Sequence, residues 1–87
     1  MKVLYAKTFS RDIGIFKPGI KKKLLELLER LKTIDSLNEL QGVKKIEGYA
    51  SYYRLRIGDY RLGFKLSGDT LELIRFLHRR DIYRRFP

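Results

Sequence analysis

The chain has 87 residues and a formal net charge of +10, with 20 Lys and Arg against 10 Asp and Glu. Its 44% hydrophobic content predicts one small folded domain over residues 1–87 and excludes a disordered chain. The absence of cysteine excludes disulfides and thiolate metal sites. No apolar run could span a bilayer and no signal-peptide pattern opens the sequence, so we expect a cytoplasmic protein without membrane contact. The positive charge favours an anionic partner.

The first half of the chain predicts a strand and two helices. Residues 1–7 favour an edge strand. A short helix is expected over residues 11–16, with Thr8 or Ser10 as its N-cap and Asp12 near the positive end of its dipole. A longer helix follows Pro18, because apolar residues then recur at a spacing typical of one buried helix face. These residues are Ile20, Leu24, Leu27, Leu28, Leu31 and Ile34.

Residues 34–47 lose that periodicity, which indicates a loop with one helical turn around residues 37–40. Residues 52–64 then alternate about Gly58-Asp59, a pair that favours a two-residue hairpin turn. One face of this hairpin is predicted to join the core and consists of Tyr53, Leu55, Ile57, Tyr60, Leu62, Phe64 and Leu66. The other face is predicted to carry Tyr52, Arg54, Arg56, Arg61 and Lys65.

The predicted turn places Arg56 directly opposite Arg61, and like charges in that position destabilise a sheet. An anionic ligand is one explanation, with Gly63 allowing it to approach the backbone closely. The alternative explanation is that the cations keep an exposed strand soluble and discourage edge pairing. Two further lysines, Lys44 and Lys45, precede the hairpin and extend the basic surface.

A second turn at residues 67–69 leads into a strand over residues 70–77 that is apolar enough to be covered on both faces. A two-residue turn would direct Leu71 and Leu73 into the core, and a three-residue turn would direct Ile74 and Phe76 there instead. A short C-terminal helix capped by Asp81 is expected. The predicted fold is therefore α+β, with an N-terminal strand, two helices, a three-stranded antiparallel meander and a short C-terminal helix. The helices are predicted to cover one face and leave the basic face open.

The residue types exclude several kinds of active site. The carboxylates are scattered and His78 has no spaced partner, so neither a metal nor another cofactor is expected. No serine or cysteine nucleophile has an identifiable base. The residues are compatible with cleavage of RNA by its own 2′-hydroxyl, because arginines stabilise a phosphorane and Tyr83 or His78 can transfer protons. A packed Tyr83 and a hydrogen-bonded His78 at a strand end are equally consistent with the pattern.

Two segments resemble the RelE/ParE superfamily of type II toxin-antitoxin systems. They are residues 53–62, Tyr-Arg-Leu-Arg-Ile-Gly-Asp-Tyr-Arg-Leu, and residues 78–84, His-Arg-Arg-Asp-Ile-Tyr-Arg. The resemblance implies a fold like that of microbial ribonucleases. For the RelE branch it implies a toxin that cleaves messenger RNA in the ribosomal A site and is inhibited by a cognate antitoxin.

The resemblance also assigns roles to residues. Arg61 would stabilise the phosphate in the transition state, and Tyr83 would be the general base. His78 is the alternative base that the residue types alone indicate. Arg79, or Arg80 in its place, would assist the leaving group. Arg54 and Arg56 stand where RelE itself has lysines, which keeps the charge but removes any role in proton transfer. The expected RNA-binding or phosphate-binding residues are Arg54, Arg56, Lys65, Arg80, Arg84, Lys44 and Lys45.

The ParE branch shares the Gly-Asp-Tyr-Arg hairpin but inhibits DNA gyrase and does not cut RNA. It generally lacks the terminal Tyr-Arg pattern, which is present here at Tyr83 and Arg84. The sequence therefore favours a RelE-type endoribonuclease over a ParE-type gyrase inhibitor. A non-catalytic RNA-binding module is a third interpretation.

Overall fold

The computed structural model describes residues 1–87 and contains three helices and a five-stranded sheet of order β1-β5-β4-β3-β2. The strands are β1 (Lys2–Tyr5), β2 (Val43–Lys45), β3 (Tyr52–Ile57), β4 (Tyr60–Ser67) and β5 (Thr70–His78). The helices are α1 (Lys7–Ile13), α2 (Pro18–Thr33) and α3 (Arg79–Arg85), with a 3₁₀ turn over Leu37–Glu39. The predicted α+β class and the antiparallel meander β3-β4-β5 are confirmed. None of the helices has the length and apolarity that crossing a membrane requires.

The predicted register of the β3-β4 hairpin is also confirmed. Gly58 has φ +57° at the turn, and the strands pair Ile57 with Tyr60 and Arg56 with Arg61. All seven side chains predicted for the core face lie in the main hydrophobic core or pack against it. The turn therefore fixes which side chains face the core, and the arginines are left on the opposite face.

The main core lies between this face of the sheet and the first two helices. Leu24, Leu28 and Leu31 of α2 are buried, as their spacing predicts, and Pro18 is in the first turn of the helix. Phe9 of α1 fills the space beside them and is only 1% exposed. Each such side chain stabilises the fold by about 2 kcal/mol through the apolar area it removes from water.

The predicted position of the first helix is wrong. Helix α1 begins at Lys7, and its N-cap Ala6 makes no side-chain capping bond. Thr8 and Ser10, the predicted caps, lie inside the helix. Thr8 instead donates its hydroxyl to the carbonyl of Ile74 on β5, which satisfies the hydroxyl by a tertiary contact.

Asp12 lies in the last turn of α1, where the helix dipole does not favour a carboxylate. It is buried, and it accepts hydrogen bonds from Arg75 Nε at 2.8 Å, from Arg75 Nη2 at 2.9 Å and from the backbone N–H of Phe76 at 2.9 Å. A paired, fully hydrogen-bonded carboxylate is the form in which a charge can be buried. This cluster fixes α1 to β5.

The sheet is wider than predicted, because Val43–Lys45 forms a strand, β2, that pairs antiparallel with β3. Strand β1 lies at the other edge, as predicted, and pairs in parallel with β5. The connection before β2 contains the predicted helical turn. Hydrogen bonds from the backbone N–H groups of Asp35 and Ser36 lower the pKa of Glu39 there.

Both alternatives for the register of β5 are partly right. The turn has two residues, so Ser67 pairs with Thr70, and Leu71 and Leu73 enter the main core. A register shift then occurs where Gly63 pairs with Arg75 but Phe64 pairs with Leu73. The extra residue brings Phe76 onto the core face as well.

The opposite face of β5 carries a second, smaller core. Leu77 packs there with Ile82 and Phe86 from the C-terminal segment, and Ile46, Tyr52 and Ile74 surround them. Helix α3 therefore covers part of the face that carries the arginines. The prediction that this face is fully open is wrong, because α3 needs an apolar surface to pack against.

Candidate nucleic-acid interface

Two rows of like charges cross the open part of the sheet. Lys44 of β2 pairs with Arg54 of β3, and Arg56 of β3 pairs with Arg61 of β4. The ion pairs of the molecule are Lys32 with Glu29, Arg75 with Asp12, and Arg84 with Asp81, so none neutralises these four cations. Since like charges opposite one another destabilise a sheet, the arrangement favours a surface that binds an anion.

These side chains line a groove with a volume of about 290 Å³. Its lining residues are Gly42, Val43, Lys44, Arg54, Arg56, Arg61 and Tyr83. No cluster of three or more His, Cys, Asp or Glu side chains occurs in the fold. The polar chemistry of the groove therefore comes from guanidinium, ammonium and phenol groups.

Gly42 is a residue of the groove that the sequence did not identify as functional. Its φ is +79°, and a Cβ there would lie 3.2 Å from the Cβ of Arg56. Its carbonyl accepts the N–H of Arg56 at 3.0 Å. The only signal in the sequence was a glycine in a predicted loop, which does not show that the loop contacts Arg56.

Arg61 is held in place by the hairpin turn. Its Nη1 donates to the carbonyl of Gly58 at 2.9 Å and to that of Tyr60 at 2.8 Å. The other two guanidinium nitrogens make no hydrogen bond within the chain and are available to a ligand. A planar guanidinium with free N–H groups is well suited to contact phosphate at two points.

Tyr83 enters the same groove from α3. The residue is 62% exposed, and Arg54 Cζ lies 4.4 Å from the centroid of its ring, within the range of a cation–π contact. The structure thus brings a residue near the C-terminus next to the central hairpin, as the predicted site requires. Its position depends on α3, which is held by Ile82 and Phe86 in the smaller core.

Gly63 does not receive a ligand as predicted. The ring of Phe86 packs directly on it, and a Cβ at this position would lie 2.6 Å from Phe86 Cδ2. The close approach to the backbone does exist, but the group that makes it belongs to the chain itself.

His78 lies on the other face of the sheet. It pairs with Tyr60, the two rings are 5.5 Å apart, and it does not line the groove. Its Nδ1 accepts the backbone N–H of Arg80 at 3.2 Å, so His78 is the N-cap of α3. Asp81, the predicted cap, lies in the first turn of that helix instead.

Arg79 and Arg80 are exposed at the start of α3 and do not line the groove. The N–H of Arg79 donates to the carbonyl of Asp59 at 2.8 Å. Arg79 is therefore attached to the same turn that anchors Arg61. The guanidinium of Arg80 lies beside His78, with Nε 3.4 Å from Nδ1.

The remaining predicted phosphate contacts are spread out. Lys65 lies further along the groove face, opposite Tyr52. Arg84 is exposed and lies 3.5 Å from Asp81. Lys45 pairs with Tyr53, so its side chain is on the helix-covered face. The groove thus brings together five of the predicted residues, whose roles stay predictions: Lys44, Arg54, Arg56, Arg61 and Tyr83.

Comparison with known proteins gives a consistent family. A profile described as "ParE toxin of type II toxin-antitoxin system, parDE" matches residues 3–83. Toxin RelE3 of Methanocaldococcus jannaschii is 46% identical over 88 residues, covering 100% of both chains. Putative toxin RelE1 of the same organism is 34% identical over 76 residues, covering 86% of this chain and 84% of the relative.

Comparison with solved structures is consistent with this family. The RelB-RelE antitoxin-toxin complex from Methanococcus jannaschii contains a similar chain, with a TM-score of 0.82 and 42% identity, covering 97% of this chain and 99% of that one. YafQ from Escherichia coli has a TM-score of 0.74 at 17% identity, covering 94% and 97% of the two chains, and shares the fold. The chain therefore belongs to the RelE/ParE family of toxins from type II toxin-antitoxin systems.

Proposed function

We propose that this toxin is a ribosome-dependent endoribonuclease that cuts messenger RNA in the A site without a metal ion. The observation that carries the proposal is the groove, where four unpaired cations and Tyr83 surround one space large enough for a phosphate. Such a space suits a phosphorane, whose added negative charge needs fixed positive groups. The reaction would take place in the cytoplasm.

In the proposed reaction the 2′-hydroxyl of the nucleotide before the cut attacks the adjacent phosphorus. Tyr83, in its phenolate form, accepts the hydroxyl proton, and the free nitrogens of Arg61 bind the phosphorane oxygens. The bond to the 5′-oxygen breaks, and the leaving oxygen takes a proton from water while Arg79 or Arg80 stabilises its negative charge. The products are a 2′,3′-cyclic phosphate and a 5′-hydroxyl end.

A cognate antitoxin is the second proposed partner. The similar chain from Methanococcus jannaschii was solved in complex with RelB. The net charge of +10 favours an antitoxin segment that is acidic where it meets the groove.

A ParE-type gyrase inhibitor is the alternative, and one observation favours it. The profile that matches residues 3–83 carries the ParE description. A gyrase inhibitor cuts no RNA and would therefore not need a proton acceptor such as Tyr83.

The test is cleavage of a defined message in a translating extract by purified wild type, Arg61→Ala and Arg11→Ala. Arg11 is exposed on α1 at the helix-covered face, so its substitution removes the same charge away from the groove. We expect Arg61→Ala to fold normally and to cleave about 100-fold more slowly, and Arg11→Ala to resemble wild type. A fully active Arg61→Ala protein would refute the proposed site.

A further inference from the structure

The pattern of cations beside aromatic rings continues past the groove along the same face of the sheet. Tyr52 precedes Arg54 by two positions on β3, roughly 7 Å away along the strand. Lys65 is its cross-strand partner, and Lys65 Nζ lies 5.7 Å from the Tyr52 ring centroid. The pairing of Arg54 with Tyr83 is therefore repeated one step further on by Lys65 with Tyr52.

Tyr49 forms the outer end of this row. The residue is 51% exposed, and its ring packs edge to face against that of Tyr52, with centroids 6.2 Å apart and an angle of 76° between the planes. Tyr52 is supported in turn by Phe86, at 5.8 Å. Tyr49 is thus a half-exposed ring with a firm support, which is how a stacking surface is built.

The loop between β2 and β3 holds Tyr49 at a conformational cost. The cost lies at Ser51, whose φ of +69° is one that non-glycine residues rarely adopt, whereas the φ of +82° at Gly48 is readily adopted by glycine. Backbone hydrogen bonds keep this shape, since Tyr49 donates to Ile46 at 3.3 Å and Leu66 donates to Ser51 at 2.9 Å. Such local strain is typical of segments with a functional role.

A depression of about 450 Å³ runs along this loop beside Tyr49. Its charged residues are Glu47 and Lys45, which borders the depression from the helix-covered face, and the two carry opposite charges. The depression therefore offers no net attraction for a phosphate, in contrast to the groove at Arg54 and Arg61. A flat, uncharged group that can stack on a tyrosine suits it better.

We propose that Tyr49 binds a nucleobase of the single-stranded RNA whose phosphate occupies the groove. The strand would leave Arg54 and pass Lys65, which contacts a following phosphate, and its base would stack on Tyr49. Every base has a π-face, so this subsite strengthens binding without selecting a sequence. The identification of the ligand as RNA rests on the proposed function.

The test uses a short single-stranded RNA with every 2′-hydroxyl methylated, so that binding is measured without cleavage. Nuclear magnetic resonance titrations of the full chain compare wild type, Tyr49→Ala and Tyr49→Phe. Tyr5→Ala is the matched control, because Tyr5 is also about half exposed but lies on edge strand β1. We expect Tyr49→Ala to weaken binding roughly tenfold, and the other two variants to bind within twofold of wild type.

A second series removes single bases from the RNA. One abasic position should weaken binding to wild type but have no effect on Tyr49→Ala, which identifies the stacked base. Equal binding by wild type and Tyr49→Ala, or no binding of this RNA at all, would overturn the inference. Base stacking on Tyr49 in a protein that cuts no message would leave the inference standing and refute the proposed endonuclease.

Discussion

Arg61 is anchored at one guanidinium nitrogen and free at the other two. The two carbonyls that hold Nη1 belong to Gly58 and Tyr60, in and beside the turn that sets the hairpin register. The side chain therefore loses less conformational freedom when it binds a ligand than a free arginine does. The same turn thus determines both the register of the strands and the position of the cation.

The proposed role of Tyr83 depends on its hydroxyl group, whereas that of Arg61 depends on its positive charge. Tyr83→Phe keeps the ring and so keeps the contact with Arg54. We expect unchanged stability and RNA binding, with cleavage in a translating extract reduced by about 100-fold or more. The rate under single-turnover conditions measures this.

If Tyr83→Phe cleaves normally, the base is another group. His78, the alternative from the sequence, lies on the opposite face of the sheet and outside the groove, so a separate variant must test it. His78→Asn is the matched variant, because asparagine can still accept the N–H of Arg80 that His78 Nδ1 accepts. A loss of activity in His78→Asn with an intact helix α3 would transfer the role to histidine.

At the scale of elements, α3 is attached to the sheet by the packing of Phe86 directly on Gly63, which leaves no room for a side chain at position 63. Gly63→Ala places a methyl group where the Phe86 ring lies, so we expect a loss of about 2 kcal/mol in unfolding free energy and slower cleavage. The Phe86→Leu change should recover part of both losses in the double variant, which denaturant unfolding and cleavage assays measure. Gly19→Ala is the control, because nothing lies within 4 Å of its added Cβ.

If Gly63→Ala lowers the unfolding free energy equally in the wild-type and Phe86→Leu backgrounds, the packing of Phe86 on Gly63 is not the cause. Coupling between the two positions is expected, because residues in contact rarely have additive effects.

The attachment of α1 depends on charge. Asp12→Ala removes the partner of Arg75 and leaves the guanidinium, whose side chain is 21% exposed, without a counter-ion. We expect a destabilisation of about 3 kcal/mol, measured by urea unfolding. Glu29→Gln breaks the exposed pair with Lys32 and should leave the midpoint unchanged. A neutral Asp12→Ala would show that the buried pair is not what fixes α1.

The sequence predicts correctly those elements that are determined by residues close together in the chain. The hairpin register follows from Gly58-Asp59, and α2 follows from its leucine spacing. Strand β2 was missed because Val43–Lys45 has only three residues, two of them lysines, and becomes a strand only by pairing with β3. Helix α1 was misplaced because Thr8 resembled a cap, whereas its partner lies 66 residues away.

The residues of the site also fall into those that the sequence pattern predicts and those that it does not. The row of arginines on β3 and β4 follows from strand alternation, so it is visible in the sequence. The position of His78 depends on where β5 ends, and the role of Gly63 depends on the return of Phe86 from the end of the chain. Contacts between distant residues cannot be inferred from the local pattern that predicts the strands.

At the scale of the whole molecule, the two faces of the sheet have different roles. The face covered by α1 and α2 holds the main core, and the other face holds the groove, the smaller core and α3. A charge of +10 weakens a compact fold by repulsion, so the groove cations are retained at the expense of stability. A partner with negative charge, whether RNA or antitoxin, relieves that repulsion on binding.

The central claim is that this toxin cuts translated messages through its groove. Mapping of 5′-ends in cells after induction tests it most directly, with a reporter message present in two forms, one translated and one lacking its start codon. The account predicts new 5′-hydroxyl ends, spaced by codons, in the translated reporter and none in the untranslated one. Intact messages together with gyrase-dependent DNA damage would contradict it.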